Sequence, residues 1–187
     1  MNTEINKSLT SVLEGGIILY PTDTIWGIGC DATNEQAIKK IYALKQRDDA
    51  KSLIMLLAEA KDVFQYVANP PPDIVNIVTR FDRPTTVIYE QAVGLPDNLV
   101  NADGSIAIRV TKDPFCKSLI KRMKRPLVST SANISGMPSP QSFDDIDQEI
   151  KTGVDYVVDY RRHEQTDTKP SRILRIKSDG IIEVIRE

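Results

Sequence analysis

The sequence lacks the residue patterns on which most covalent and metal-dependent enzymes rely. His163 is the only histidine, and it lies in the polar run YRRHEQTDTK with no serine or cysteine motif beside it. GxSxG, HExxH, Walker A and GxGxxG patterns are absent, and GIGC at residues 27–30 is too short for a dinucleotide fingerprint. We therefore expect His163 to be an ordinary polar residue, and any catalysis to work by positioning substrates and neutralising charge.

Cysteine and excess charge are also scarce. Cys30 and Cys116 are far apart, without CxxC spacing or a histidine partner, which argues against a disulfide framework or a zinc site and favours a reducing compartment. The formal net charge is -2 and the pI is about 5.6, so bulk charge does not draw the chain onto nucleic acid or an anionic membrane. Any site for an anion must be a local cluster of cations.

Long hydrophobic runs are missing as well. No apolar stretch approaches the roughly 20 residues that a membrane-spanning helix needs. The first residues, MNTEINKSLTSVLEGG, have neither the basic region nor the apolar region of a signal peptide. We expect a cytoplasmic protein with no membrane contact, and 187 residues with 41% hydrophobic content predict one globular domain over residues 1–187.

What the sequence does contain is a mixture of helical and strand patterns. Apolar spacing predicts helices over Thr3–Glu14, Ala37–Leu44, Lys61–Ala68, Pro114–Lys124 and Ser142–Lys151, with a capping box at Thr33 and Gln36 and a further helix capped by Asp73. Short apolar runs predict strands at IILY, LIMLL, TVIYE, SIAIRV, PLVSTS, DYVVDY, SRILRI and IIEVIR. The late strands arrive without intervening helices, so we predict an α/β fold with a mixed sheet.

Three cations cluster at the end of the second long helix. Lys45 and Arg47 leave its last turn, and Lys51 precedes a buried strand. Cations are favoured at a helix C-terminus, so these residues are equally consistent with solvated charge and with a phosphate clamp. Arginine supplies a fork and lysine a mobile point charge, a combination that suits a triphosphate, although Asp48 and Asp49 lie between the cations.

Two further features suggest an anion or a nucleotide. The run STSANISGMPSP follows directly on an apolar strand, and strand ends that open into small-residue loops are common ligand sites in α/β sheets. The same composition also suits a surface loop rich in turns. Arg109 ends the apolar strand SIAIRV, where it needs either an ion-pair partner or an anionic ligand.

Taken together, these segments resemble the YrdC-like family, the threonylcarbamoyl-AMP synthases of tRNA modification. The matching elements run in order along nearly the whole chain: GGIILYPTDTIWGIGCDA, KQRDDAKSL, RPTTVIY, GSIAIRV, STSANISGMPSP, KPSRI and the closing VIR. The resemblance implies a twisted mixed β-sheet flanked by helices, with an open concave cleft. It also implies an enzyme that converts L-threonine, bicarbonate and ATP, with Mg²⁺, into threonylcarbamoyl-AMP and pyrophosphate.

The resemblance assigns roles to individual residues. Lys45 and Arg47 match the catalytic pair. The ATP contacts match Arg47, Lys51, Ser105, Ser131, Asn133, Ser139 and Arg186. The threonine contacts match Thr24, Arg109, Ser129 and Ser171. No protein residue is assigned to a metal, and the implied partners are the proteins that transfer the threonylcarbamoyl group to tRNA, with tRNA itself as a candidate.

The chain departs from the family pattern on the threonine side. DRPTT stands where many members have PGPLT, PSR stands where many have PST, and YRRHEQTDTK replaces a glycine-rich turn. PSR is expected to place Arg172 beside the substrate serine. The rival interpretation is a YciO-like paralogue that binds RNA without making the adenylate; the retained K-x-R and S-A-N elements disfavour it. A carbamoyl-transferring domain of a hydrogenase-maturation protein is a third reading, disfavoured because no zinc-finger or acylphosphatase segment accompanies the core.

Overall fold

A computed structural model of the chain describes residues 1–46, 53–164 and 170–187. Its centre is a nine-stranded mixed sheet with the order β7-β1-β2-β6-β3-β5-β4-β8-β9. The strands are β1 (Ile18–Tyr20), β2 (Gly27–Gly29), β3 (Ile54–Leu57), β4 (Thr85–Tyr89), β5 (Ile106–Val110), β6 (Leu127–Ser131), β7 (Tyr156–Val157), β8 (Arg172–Ile176) and β9 (Ile182–Arg186). Parallel pairs (β1–β7, β3–β5, β4–β8) occur beside antiparallel ones, which confirms the predicted mixed α/β sheet.

Five α-helices and one 3₁₀ helix accompany the sheet in the described part of the chain. They are α1 (Asn2–Leu13), α2 (Glu35–Leu44), a 3₁₀ helix (Ala60–Gln65), α3 (Ile74–Thr79), α4 (Pro114–Met123) and α5 (Gln148–Gly153). Helix α4 begins at a proline behind the Asp113 cap and ends at Lys124 in the left-handed conformation. A helix can start at proline because the first turn has no use for its missing N–H.

The central strands are buried on both faces, as the continuous apolar runs predict. In β1, Leu19 packs into one hydrophobic cluster, with α2, while Ile18 and Tyr20 pack into the other, with α1 and α4. In β3, Met55 and Leu57 share the α2 face and Leu56 faces α4. The sheet is therefore the middle layer of the molecule, and α1 and α4 cover only part of one face.

Several local predictions were wrong. Asn34, not Thr33, caps α2: its side-chain oxygen accepts from the N–H groups of Gln36 and Ala37, whereas Thr33 donates to Asp31 at 2.7 Å. The helix predicted over Lys61–Ala68 is a shorter 3₁₀ segment, and the one predicted from Ser142 begins at Gln148. Residues 27–29 form strand β2, which was not predicted.

A part of the α1–α4 face is left uncovered further along the sheet. Ile54, Ala107 and Ile88 are cross-strand partners on β3, β5 and β4, and partners in adjacent strands point to the same face. They form the floor of a hollow in this face. In the described ranges, no helix is long and apolar enough to cross a membrane.

Candidate active site

The hollow is an open cleft of about 380 Å³, and its lining combines an apolar floor with a rim of hydroxyls and two arginines. Its polar lining residues are Thr22, Thr24, Thr86, Arg109, Ser129, Thr130, Ser131, Ser139, Ser171 and Arg186. The apolar part comes mainly from isoleucines of β3, β4, β8 and β9 together with Trp26. Such a lining, apolar with a few convergent polar groups, is typical of a small-molecule site.

The loop between β1 and β2 is fixed by its own threonines. The Thr22 hydroxyl donates to the carbonyl of Ile25 at 2.7 Å and accepts from the N–H of Thr24 at 3.0 Å. It also lies 3.0 Å from the Thr24 hydroxyl. Short hydroxyl side chains favour turns because they bond to nearby backbone in this way. The result is that the Thr24 side chain is held at the cleft wall, 4% exposed.

Arg109 of β5 is the buried cation of this wall. It is 4% exposed, donates from Nη1 to the Thr24 hydroxyl at 3.1 Å, and its Nη2 lies 3.4 Å from a carboxylate oxygen of Asp23. Its Nε is buried with no hydrogen-bond partner among the described residues. A buried guanidinium whose donors are only partly used is costly for the fold and well suited to an anionic ligand. The structure therefore places Thr24 and Arg109 in the wall of one cleft.

The opposite wall comes from the end of the chain. The hydroxyls of Thr86 and Ser171 are 2.8 Å apart, and the carbonyl of Ser171 accepts from the Arg186 guanidinium at 2.6 Å. Strand alternation sends the side chain of Arg172 away from the cleft, where its guanidinium lies 5.3 Å from the ring centre of Phe81. The expectation that Arg172 sits beside the substrate serine was therefore wrong.

The hydroxyl-rich segment after β6 forms the third side of the cleft. Ser129, Ser131 and Ser139, all from the run STSANISGMPSP, line it. Asn133 lines an adjoining hollow of about 420 Å³, and Ser139 is common to both. The two hollows therefore meet at Ser139, which gives the cleft an extension along this loop.

Lys45 does not point into an open phosphate-binding site. Its side chain is buried, 1% exposed, and its ammonium donates to the carbonyls of Ser131 at 2.5 Å and Asn133 at 2.6 Å. The side-chain oxygen of Asn133 lies 3.3 Å away, and the backbone carbonyl of Lys45 accepts from the N–H of Ser135. Lys45 thus stabilises the loop that carries Ser131 and Asn133.

The remaining predicted residues divide into two groups. Ser105 is buried where β5 begins; its hydroxyl donates to Asp103 at 2.6 Å and accepts from Asn101, and it is not among the cleft-lining residues. Arg47 and Lys51 lie outside the described residues, as do Asp48 and Asp49. The prediction of a cation cluster at this turn stays a prediction.

Among the polar and aromatic cleft residues, Thr22, Trp26 and Thr86 were not singled out from the sequence. Thr22 stands two residues before the identified Thr24, so the PTDT motif contained it. No sequence motif marked Thr86 as a cleft residue, because it reaches Ser171 only through the parallel pairing of β4 with β8.

The two cysteines and the acidic residues offer no metal centre in the described part of the chain, where no three histidine, cysteine or carboxylate side chains converge. Both thiols are buried, and burial raises the pKa of Cys30 and of Cys116 well above the usual thiol range. These thiols are therefore protonated core residues.

Comparisons with known proteins agree on one family. The family model Sua5_yciO_yrdC, described as "Telomere recombination", matches residues 11–187. A threonylcarbamoyl-AMP synthase from Pseudoalteromonas translucida is 33% identical over 83% of this chain and 84% of its own length. Sua5 from P. abyssi, solved with L-threonine, superposes with a TM-score of 0.83 at 25% identity. That match covers 92% of this chain but 50% of the P. abyssi chain, so the chain spans about half the length of that structure. E. coli YciO superposes over 100% of this chain and 90% of its own with a TM-score of 0.84, but at 21% identity it indicates the fold alone.

Proposed function

The chain belongs to the Sua5/YciO/YrdC family, and we propose that it is a threonylcarbamoyl-AMP synthase. In this reaction the amine of L-threonine is carboxylated by bicarbonate to a carbamate with loss of water. A carbamate oxygen then attacks the α-phosphorus of ATP, the bond to the β-phosphate oxygen breaks, and pyrophosphate leaves. A relative with this name aligns along most of the chain, which supports the assignment.

The observation that carries the proposal is the buried Arg109 beside Thr24 in a cleft lined by hydroxyls. A guanidinium with a free, buried Nε is a suitable partner for the carboxylate of an amino acid. Thr24, Ser129 and Ser171 surround the same space and offer hydroxyls for the polar groups of threonine. We assign the threonine subsite to these four residues.

We assign the nucleotide to the loop side of the cleft. Ser131, Ser139 and Asn133 follow the path from the cleft into the adjoining hollow, and Arg186 reaches the cleft from β9. Lys45 acts in this proposal through the loop it stabilises, and Arg47 and Lys51 supply cations for the phosphates. Ser105 acts on the nucleotide through the segment that starts β5.

The chemistry requires two anions to approach each other. The carbamate and the triphosphate repel, so the protein's contribution is to hold both in line and to supply positive charge where charge develops. Mg²⁺ would neutralise part of the phosphate charge when bound. The described cleft lining offers hydroxyl oxygens and no carboxylate, which suits a metal that arrives on the phosphates of ATP.

We further propose a cytoplasmic enzyme that hands its product to the machinery that makes t6A in tRNA, with tRNA as a candidate partner. The second candidate function is a YciO-like RNA-binding protein without adenylate synthesis. The shared fold with YciO is consistent with it, whereas the Arg109–Thr24 pair and the S-A-N loop favour the synthase.

The test is pyrophosphate release from ATP, measured with threonine and with bicarbonate omitted in turn. We expect release to require both. Release that continues without threonine would remove the synthase assignment, and tight binding of structured RNA without any use of ATP would establish the second function instead.

A further inference from the structure

Resting on the proposed function, we propose that Arg161 is a positioning residue for threonine, acting from outside the cleft by holding the β1–β2 loop. Arg161 stands in YRRHEQTDTK, the run that replaces a glycine-rich turn in the family pattern. It follows β7, which pairs with β1 at the edge of the sheet, and this pairing brings it to the back of the loop.

Arg161 is tied to two groups at once. Its Nη2 donates to the backbone carbonyl of Thr22 at 3.1 Å and to the carboxylate of Asp113 at 2.8 Å. Asp113 is 1% exposed in its side chain, so its charge has little access to water. A buried carboxylate needs a cation, and Arg161 supplies it, which fixes the guanidinium in place.

The backbone at Arg161 supports the same conclusion. Its φ is +55°, a left-handed conformation that non-glycine residues adopt rarely and that persists only when surrounding contacts hold it. The side chain also lies over the ring of Tyr160, 5.3 Å from its centre. The contacts that hold this conformation place the Arg161 side chain against the loop. A glycine-rich turn at this position would have no side chain for such a contact.

From Thr22 the chain of contacts leads directly to the threonine subsite. Arg161 holds the carbonyl of Thr22, while the Thr22 hydroxyl bonds to Thr24. Thr24 in turn accepts from Arg109. Without Arg161 the Thr22 carbonyl loses its side-chain donor, and the position of the Thr24 hydroxyl against Arg109 is no longer fixed from behind.

The neighbouring arginine provides a matched control. Arg162 donates to the carbonyls of Val157 and Val158 and lies over Phe143, 4.8 Å from its ring centre. It has the same charge as Arg161 and lies in the same segment, but none of these contacts is with the β1–β2 loop. A general effect of lost charge or of a loosened segment would appear in both residues.

The experiment compares Arg161→Gln, Arg161→Lys and Arg162→Gln in steady-state kinetics and in calorimetric binding of L-threonine. For Arg161→Gln we expect the KM and Kd for threonine to rise about tenfold, a size typical of a displaced positioning contact, while the KM for ATP and kcat change less than about twofold. Arg161→Lys keeps a cation beside Asp113 and should restore most of the affinity. Arg162→Gln should behave as the unaltered protein.

Three results would overturn the proposal: an unchanged threonine KM in Arg161→Gln, equal rises in the KM for threonine and ATP, or the same loss in Arg162→Gln. If Arg161→Gln does not fold, Asp113→Asn replaces it. That variant keeps an oxygen for the Cys116 N–H that Asp113 caps at 2.9 Å but removes the charge that anchors Arg161. It should raise the threonine Kd, and an unchanged Kd refutes the proposal. Failure of the unaltered protein to require threonine for pyrophosphate release would instead refute the proposed function, a separate result.

Discussion

Replacing Arg109 with methionine should lower both the stability of the fold and the affinity for threonine. Arg109 is 4% exposed and, among the described residues, has one hydrogen bond, to Thr24, and a 3.4 Å ion pair with Asp23. Methionine has a similar length and no charge, so Arg109→Met removes the guanidinium while filling most of its space. The side chain of Asp23 is 22% exposed, but the oxygen that faces Arg109 is buried and has no hydrogen-bond partner in the described ranges.

The stability change follows from two contributions of the same sign. The lost hydrogen bond costs about 1 kcal/mol. Removing one partner of a buried ion pair costs about 3–5 kcal/mol, because the other charge is left unpaired, and the partial exposure of Asp23 reduces this cost. We expect a net loss of about 2–4 kcal/mol, which lowers Tm by about 4–16 °C in a chain of this size.

The effect on threonine binding has a separate cause. A carboxylate held by a guanidinium gains about 1.5–3 kcal/mol for each charged hydrogen bond. Losing about 3 kcal/mol weakens binding about a hundredfold. Arg125→Met is the contrasting variant: Arg125 is half-exposed and pairs at 2.7 Å with Asp31, which is 2% exposed. That variant should lower stability by about 1–2 kcal/mol and leave threonine binding unchanged.

The assays are urea unfolding of each variant and calorimetric titration with L-threonine. If Arg109→Met unfolds at the same urea concentration as the unaltered protein, the stability argument is wrong. If it binds threonine normally, or if Arg125→Met loses threonine binding to the same extent, the assignment of Arg109 to the threonine subsite loses its main support.

Three further variants test the framework around the site. Lys45→Met should lower the free energy of unfolding by about 2 kcal/mol in urea, because buried loop carbonyls lose a charged donor; unfolding as in the unaltered protein would contradict this. Glu4 accepts from Tyr156 and, although burial opposes it, its hydrogen bonds and a nearby lysine hold the pKa of Glu4 below its usual value. Its carboxylate therefore stabilises above the unfolded pKa of about 4.3 and loses that effect as pH falls through the lower folded pKa, so the deficit of Glu4→Gln in thermal scans, about 1 kcal/mol at pH 7, should vanish in acid. Gly29→Ala should cost about 1–3 kcal/mol in the same scans, because its Cβ would strike the Val128 carbonyl of β6; a neutral result would show that the two strands can separate without loss.

Most of the fold was predictable because the sheet depends on patterns that are local in the sequence. Apolar runs such as IILY and LIMLL become strands buried on both faces wherever helices cover both sides. The missed strand, β2, has glycines at both ends, and glycine disfavours strands in isolation. Its pairing is imposed by β1 and β6, between which a side chain at Gly29 would not fit.

Site residues were predictable from the sequence where a recognisable motif contained them. They were not predictable where the pairing of distant strands brings a residue to the cleft. Thr24, Ser129 and Ser131 lie in recognisable runs, and the structure places them in one cleft. The direction of the Lys45 side chain could not be predicted from the sequence, because a cation that follows a helix can bind loop carbonyls as well as a phosphate. The contact of Arg161 with Thr22 depends on the pairing of β7 with β1, which no local pattern encodes.

The strand order also determines when during synthesis of the chain the cleft can form. Residues near 28 pair with residues near 130, β4 pairs with β8, and Ser171 and Arg186 come later in the sequence than the residues of the other cleft walls. Non-local pairings of this kind fold slowly, because loop-closure entropy is lost before the contacts form. We therefore expect a nascent chain to have no competent site until β8 and β9 have left the ribosome, so that a prematurely terminated product would be inert rather than partly active.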